Sequence, residues 1–530
     1  MFPAKGEVYM FVKILMIVLF MALSLSVGFL CRRHTSNTAG FVLGGRSVGP
    51  WLSAFAYGTS YFSAVIFIGY AGQFGWKYGI ASTWIGIGNA LIGSLLAWAV
   101  LGRRTRVMSQ HLDAATMPDF FEKRFQSKPL KIAAALIIFV FLIPYTASVY
   151  NGLSRLFEMA FGIDYSYCIL GMAVLTAVYV MVGGYMATAV NDFIQGIIML
   201  GGIVVTIAAV LKLNGGFSES IIKLSGVENS ESLIQGSFVS FFGPEPLSLL
   251  GVVILTSLGT WGLPQMVQKF YAIKSEKDVH IGTIVSTVFA IVVAGGSYFL
   301  GGFGRLFADK IEYTAAGTPV YDSIMTSMMA LLPDILVAVV IMLVLSASMS
   351  TLSSLVLTSS SVITIDLVDE LRSKKMSEKR RLLTMRVFLV FFVAVSAIIA
   401  LIQYKSASTF IAQLMGISWG ALAGAFLGPF LYSLYWKKVT KAAVWCSFIV
   451  GIGFTTGNMI AGMAGHPLIA SPINAGALAM LLSLVLVPII SLITKKPDSE
   501  YTEKIFSCYD EKVLTSRKNA LEDGASQENI

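Results

Sequence analysis

The sequence carries little charge for its length. Asp, Glu, Lys and Arg make up 13% of the 530 residues, 56% are hydrophobic, and the mean hydropathy is +0.77. Soluble domains average about 25% charged residues, so this chain has too few to cover a water-facing surface. Apolar runs long enough to cross a bilayer recur between residues 9 and 494. These features exclude a secreted, fibrous, disordered or ordinary cytosolic protein and indicate a polytopic membrane protein.

Residues typical of metal sites and disulfides are also scarce. The four cysteines are scattered without a CxxC motif, and the chain has only four histidines. This pattern predicts isolated thiols rather than a metal centre or a disulfide framework. Walker A and HExxH motifs are absent, and no other catalytic constellation stands out. We therefore expect neither an enzyme nor a protein with a bound cofactor.

The apolar runs predict an all-α protein with about thirteen transmembrane helices. A helix needs about 20 apolar residues to cross the hydrocarbon core, and uninterrupted apolar runs exclude spanning strands. The predicted helices lie near residues 9–30, 50–73, 79–101, 132–156, 164–184, 189–211, 246–265, 280–301, 327–357, 386–403, 408–431, 440–463 and 471–494.

The basic residues predict the orientation. With the N-terminus outside, the inside segments hold 29 of the 38 Lys and Arg residues, the outside segments eight and the first helix one. This asymmetry follows the positive-inside rule and places the C-terminus in the cytoplasm. It also explains the net charge of +9 without a nucleic-acid partner.

Two predicted helices are interrupted at mid-depth by small and polar residues. The second contains Gly58-Thr59-Ser60-Tyr61-Phe62-Ser63, and the seventh runs from Thr256 through Gly259 and Gly262 to Pro264. A spanning helix must satisfy its own backbone, so such breaks are expected where backbone lines a cavity. In matching places of two halves they indicate a transporter binding site. Plain helix packing on small residues is the alternative.

Hydroxyl groups and one acid add a candidate cation site. On the ninth predicted helix, Ser350, Ser353 and Ser354 share one face. Their oxygens suit a weakly held hard cation, although each hydroxyl could instead bond to its own helix. Asp192 lies at the inner end of the sixth helix. An intramembrane carboxylate is a functional candidate by default, with an interfacial helix cap as the alternative.

Six stretches, in order along residues 35–440, resemble motifs of the sodium/solute symporter family. Within this family, the chain most resembles bacterial carriers of the sodium/proline-symporter type. The matching stretches are Gly44-Gly45-Arg46-Ser47 with Gly49-Pro50-Trp51, Met117-Pro118-Asp119-Phe120-Phe121 with Arg124-Phe125, Tyr179-Val180 with Gly183-Gly184-Tyr185, Pro264 with Lys269-Phe270-Tyr271-Ala272, Met349-Ser350-Thr351-Leu352-Ser353, and Gly428-Pro429.

The resemblance implies a leucine-transporter-like core of five plus five helices in an inverted repeat. One helix precedes this core and two follow it. We therefore expect an extra helix and first loop over residues 1–40 and a transport core over 41–440, with repeats of about 50–212 and 246–431. Two extra helices over 441–494 and a partly disordered cytoplasmic tail over 495–530 complete the expected organisation.

The resemblance also implies sodium-coupled uptake by alternating access, with sodium as the coupling ion. The implied main sodium site consists of backbone oxygens of Thr59, Phe62 and Ala347 with the hydroxyls of Ser350 and Thr351. An implied second sodium site consists of Asp192, Ser350, Ser353 and Ser354. The implied substrate-binding residues are Tyr61, Ser63, Tyr145, Thr256, Thr260 and Pro264.

The substrate is less closely specified than the ion. Tyr61 stands where proline carriers have an acid, and Thr256 stands where they have tryptophan. Residues 132–151 lack the arginine with which sialic acid carriers meet a carboxylate. We expect a small amino acid such as proline, or a small monocarboxylate, imported across the plasma membrane. A sugar, polyol or sialic-acid-type symporter is the alternative, followed by a symporter-like sensor or a channel.

Overall fold

The computed structural model describes residues 5–228, 235–405 and 411–510, and this part of the chain is almost entirely helical. Residues 511–530 of the predicted tail lie outside it. The helices are α1 Lys5–Cys31, α2 Thr38–Leu43, α3 Pro50–Tyr61, α4 Ala71–Tyr78, α5 Thr83–Ala90, α6 Arg103–His111, α7 Met117–Phe125, α8 Lys128–Phe161, α9 Tyr165–Leu213, α10 Phe217–Ser225, α11 Pro246–Gly262, α12 Pro264–Ala272, α13 Glu276–Ala290, α14 Gly296–Gly301, α15 Tyr321–Ala330, α16 Asp334–Val362, α17 Glu378–Lys405, α18 Ile411–Tyr435, α19 Lys441–Met463, α20 Pro472–Ile493 and α21 Ser499–Phe506.

The predicted count of thirteen spans is not confirmed. Among the described residues, ten helical runs are long and apolar enough to cross a membrane, or eleven if the bent pair α11 and α12 forms one span. Two of these runs are unusually long, with 47 residues in Val65–His111 and 49 in α9. At 1.5 Å per residue, α9 would measure about 74 Å, more than twice the hydrocarbon thickness. Its helix is interrupted at Gly184, whose φ of 54° and ψ of −157° are not helical.

Both predicted breaks are present, and each has a local cause. Leu263 is extended, with φ −80° and ψ 123°, between α11 and α12. It precedes Pro264, which disfavours helical geometry in the preceding residue and brings no N–H of its own. Phe62, with φ −93° and ψ 107°, ends α3. There the Ser63 hydroxyl accepts a hydrogen bond from the Val65 N–H at 3.2 Å and so caps the segment that follows.

Close backbone contacts hold the helices around these breaks. A Cβ atom added to Gly75 of α4 would lie 2.0 Å from the carbonyl group of Gly301 in α14. One added to Gly86 of α5 would lie 2.4 Å from the Gly295 Cα. Lipid supplies no hydrophobic drive for helix association, so membrane helices gain contact by approaching through small residues. The glycines at these crossings are therefore part of the packing.

Replacing Gly75 with alanine tests this packing. The added methyl group would meet backbone that has nowhere to move, so we expect the free energy of unfolding to fall by about 1–3 kcal/mol. Thermal unfolding of the purified protein would measure the loss. Gly201→Ala in α9 is the matched control, because a Cβ there meets nothing within 4 Å. Equal melting temperatures for the two variants would contradict the assignment.

Candidate cation and substrate site

The candidate main cation site lies where α3 breaks beside the middle of α16. The last carbonyl groups of a helix have no N–H partner within it, and the extended Phe62 leaves those of α3 open. The Ser350 hydroxyl lies 3.1 Å from the Thr59 carbonyl oxygen, and the Thr351 hydroxyl lies 3.2 Å from the same atom. The break in α3 is thus bridged by side chains of α16.

Two more contacts complete the cluster of oxygens. The Thr351 hydroxyl lies 3.3 Å from the carbonyl oxygen of Phe62 and 3.1 Å from that of Ala347. The Ser350 hydroxyl lies 3.0 Å from the Ala347 oxygen. All five predicted residues of the main sodium site therefore meet at one buried place. All of them are at most 1% exposed.

The chemistry of this cluster favours a cation. Each hydroxyl has one proton to donate, yet that of Thr351 faces three carbonyl oxygens and that of Ser350 faces two. Most of these contacts therefore pair two electronegative oxygens without a proton between them. The C-terminal end of α3 adds the negative end of its helix dipole. Unwound carbonyl oxygens and half-helix C-termini are the groups that coordinate sodium in broken-helix transporters.

The residues of the predicted second site lie near a buried lysine. The buried Asp192 carboxylate lies 3.7 Å from the Lys269 ammonium. That ammonium also donates to the Ser354 hydroxyl at 2.9 Å. Ser353 instead donates to the Ser350 carbonyl oxygen at 2.9 Å. The second sodium site therefore stays a prediction. No functional role was predicted for Lys269, which lies in one of the family motifs. A lysine so close to the membrane core is nevertheless a sign of function in the sequence.

The six predicted substrate residues are all buried around the two breaks. The Tyr145 hydroxyl of α8 points to the Tyr61 carbonyl oxygen at 3.4 Å. Thr260 of α11 donates to the Gly93 carbonyl oxygen at 3.0 Å, while Thr256 bonds to its own helix at Val252. Ser63 and Pro264 begin the segments that follow the breaks.

Sequence reasoning missed further residues of this region. The Trp419 ring of α18 packs edge-on against Tyr145, with 5.8 Å between ring centroids. It also fills the space beside Gly259 in the middle of α11. Asn89 of α5 bonds to Ser257 at 3.2 Å. Neither residue stood out, because an aromatic or amide side chain in a membrane helix more often serves packing.

Several buried polar atoms here have no hydrogen-bond partner among the described residues. They are the Tyr61 hydroxyl, the Asn89 amide nitrogen, the Trp419 indole nitrogen and both side-chain polar atoms of Gln265. An unpaired buried polar group costs about 1–3 kcal/mol, so such groups are rare without a purpose. Those beside the two breaks are available to a small polar ligand.

Comparison with solved structures defines the class of fold. The model resembles a Na⁺-coupled sialic acid symporter in a substrate-bound, outward-open state, with a TM-score of 0.72 and 16% sequence identity. The match covers 92% of this chain and 98% of the symporter. Together with the broken helices, this likeness gives the leucine-transporter-like fold that the motifs predicted.

Comparison of sequences then gives the family. Residues 41–451 match the model of the sodium:solute symporter family. The osmoregulated proline transporter OpuE of Bacillus subtilis is 30% identical over 93% of this chain and 97% of its own length. The sodium/proline symporter of Salmonella typhimurium is 31% identical over 80% and 83%. This chain belongs to the sodium:solute symporter family. It is a multi-pass membrane protein that couples solute transport to sodium, and not an enzyme, which confirms those predictions.

Removing the hydroxyls of the oxygen cluster tests the main site. The double variant Ser350→Ala/Thr351→Ala loses two ligands, and we expect the half-saturating sodium concentration to rise at least about tenfold, or ~1.4 kcal/mol. Binding of ²²Na⁺ to the purified protein measures this without knowledge of the solute. Ser360→Ala is the control, since this buried hydroxyl bonds only to Leu357 of its own helix. An unchanged sodium affinity in the double variant would show that the ion binds elsewhere.

Proposed function

We propose that this protein imports a small zwitterionic solute, of the proline type, across the plasma membrane together with one sodium ion. The observation that carries the proposal is the buried cluster in which α3 and α16 present three carbonyl oxygens to two hydroxyls. Sodium at this place would be coordinated by these oxygens and would tie the two helices together.

The proposed organisation follows the expectation from the motifs. The transport core covers residues 41–440, with repeats of about 50–212 and 246–431, and the N-terminus lies outside. The 29-to-8 excess of basic residues in the inside segments supports this orientation. The inward gradient of sodium then drives uptake by alternating access, and each charge moved contributes about 2.3 kcal/mol per 100 mV of membrane potential.

Coupling arises because the ion and the solute use the same break. The Thr59 and Phe62 carbonyl oxygens face the ion cluster, while the neighbouring Tyr61 carbonyl oxygen faces Tyr145 in the proposed solute pocket. Fixing this stretch with sodium orders the pocket. By linkage, the solute must raise sodium affinity by the factor by which sodium raises solute affinity.

At the second site we propose that the Lys269 ammonium serves in place of a second sodium ion. It is the partner of Asp192 and bonds to Ser354, two of the predicted ligands. A sodium ion about 4 Å from this ammonium would face a repulsion of about 4 kcal/mol at an effective dielectric constant of 20. A stoichiometry of one sodium per solute follows.

Charge-neutralising variants of this pair test the stoichiometry. Either single change, Asp192→Asn or Lys269→Gln, leaves one buried charge unpaired, which costs about 3–5 kcal/mol. We expect the double variant to be more stable than either single variant, with one sodium still moved per solute. Parallel ²²Na⁺ and solute fluxes in proteoliposomes give the ratio, and thermal unfolding gives the coupling of the pair. Two sodium ions per solute in the parent, falling to one in Asp192→Asn, would restore the second sodium site.

The pocket supports a small solute without net charge. Tyr61, Tyr145 and Trp419 contribute aromatic surface. The other predicted residues are uncharged: three contribute hydroxyls, and Pro264 contributes an apolar ring. The two sequence relatives named above are proline carriers, so proline is the first candidate. The sialic-acid-type alternative has the structural neighbour named above, but α8 carries no charged side chain between residues 132 and 151 to meet a carboxylate.

A screen for sodium-dependent thermal stabilisation tests the substrate class. We expect proline to raise the melting temperature in sodium but not in choline or potassium, because the ordered pocket requires the ion. Amino acids, monocarboxylates, polyols and sugars would be compared at equal concentration. Trp419→Ala should abolish the response, whereas Trp445→Ala in α19 should keep it. Stabilisation by a sugar alone, or by proline equally well without sodium, would overturn the proposal.

A further inference from the structure

A separate cavity of about 560 Å³ lies outside the transport site, near one end of the molecule. Its walls come from the end of α7, the first turn of α19, the segment between α20 and α21, and α21 itself. The cavity therefore lies between the transport core, the two extra C-terminal helices and the start of the tail. The symport mechanism uses none of these residues.

The lining of this cavity is strongly basic. Arg124, Lys441, Lys495 and Lys496 contribute four positive charges, and Asp498 is the only acid among the lining residues. Its carboxylate already accepts hydrogen bonds from the N–H groups of the first turn of α21, at 2.9 and 3.3 Å. The acid thus caps a helix and leaves the basic side chains in excess.

The basic groups keep donors for a further acceptor. Lys441 donates to the Gln126 carbonyl oxygen at 3.3 Å, and Lys496 donates to two carbonyl oxygens at the end of α20, at 2.6 and 2.9 Å. An ammonium has three donors, so each retains at least one. Lys495 is exposed. The α19 helix also begins at this wall and directs its positive end toward the cavity.

A buried guanidinium adds to the positive charge of the cavity wall. Arg124 is only 1% exposed. It donates through Nε and Nη2 to carbonyl oxygens of Ser433, Trp436 and Lys437, at 3.3–3.4 Å. Its Nη1 has no hydrogen-bond partner among the described residues. Arg124 thus adds a buried positive charge to the cavity wall. A phosphate, which accepts several charge-assisted hydrogen bonds at once, suits a lining of this charge.

Two tryptophans near the cavity in sequence fit a position at the depth of lipid headgroups. Trp436 directly follows α18, and Trp445 lies in the first turns of α19. Tryptophan near the ends of membrane helices is typical of the bilayer interface. Basic pockets between membrane helices on the cytoplasmic side bind anionic headgroups. We propose that this cavity binds the phosphate of an anionic phospholipid and thereby fastens α19, α20 and α21 to α7.

Thermal unfolding in detergent, followed on addition of short-chain phosphatidylglycerol, tests this proposal. We expect the melting temperature to rise by on the order of 3 °C at saturating lipid, and by much less at high salt. Phosphatidylcholine of the same chain length should have little effect. The triple variant Lys441→Gln/Lys495→Gln/Lys496→Gln should lose the response. Lys374→Gln/Lys375→Gln/Lys379→Gln is the matched control, since it removes the same charge from exposed lysines away from the cavity.

Inorganic phosphate in a further arm distinguishes the two sources of the group. Stabilisation by phosphatidylglycerol alone supports a lipid headgroup, and equal stabilisation by phosphate supports a free phosphate anion at the same residues. No response to either, or an equal response in both triple variants, would overturn the site. The assay needs neither solute nor sodium, so its failure is distinguishable from failure of the proposed symport. The proposed orientation enters only in assigning the cavity to the inner leaflet.

Discussion

The interaction on which this structure depends is the one between the open carbonyl groups of α3 and the hydroxyls of α16. Backbone polar groups inside a membrane need hydrogen-bond partners, so a helix can break there only where another group supplies them. Ser350 and Thr351 meet the Thr59 and Phe62 carbonyl oxygens, but with fewer protons than acceptors. The arrangement stabilises the break and leaves more acceptor oxygens there than protons to pair with them. The sodium site that we propose is therefore the counterpart of the break itself and does not need an acid.

Around this break, the ion cluster and the proposed solute pocket are built from different chemical groups. The ion cluster is built from neutral oxygens, while the buried acid Asp192 is paired with Lys269. A pair of opposite buried charges adds no net charge that a moving sodium ion would have to overcome. The proposed solute pocket, on the other side of Tyr61, is aromatic and hydroxylic. In this proposal one short extended segment links an exchangeable cation to a small polar ligand, and coupling needs no long pathway between separate sites.

The sequence predicted the features that are local along the chain. Pro264 and the Gly58–Ser63 stretch predicted both breaks, and the spacing of Ser350 and its neighbours predicted a polar face on α16. Contacts between distant segments could not be derived in this way. Lys269 and Asp192 are far apart in sequence, and only packing brings them together. Trp419 and Asn89 were missed because such side chains in membrane helices more often serve packing, and only their contacts with distant segments mark them. The predicted count of spans depended on where long apolar runs are divided. In α9 the division depends on a single residue, Gly184.

Structures of the protein determined in sodium and in choline would test the central claim most directly. The account predicts an ion in the sodium structure among the oxygens of Thr59, Phe62, Ala347, Ser350 and Thr351. In choline the same place should hold no ion, with the two hydroxyls donating to the carbonyl groups as they do here. A sodium ion bound elsewhere, with this cluster unchanged between the two conditions, would contradict the account.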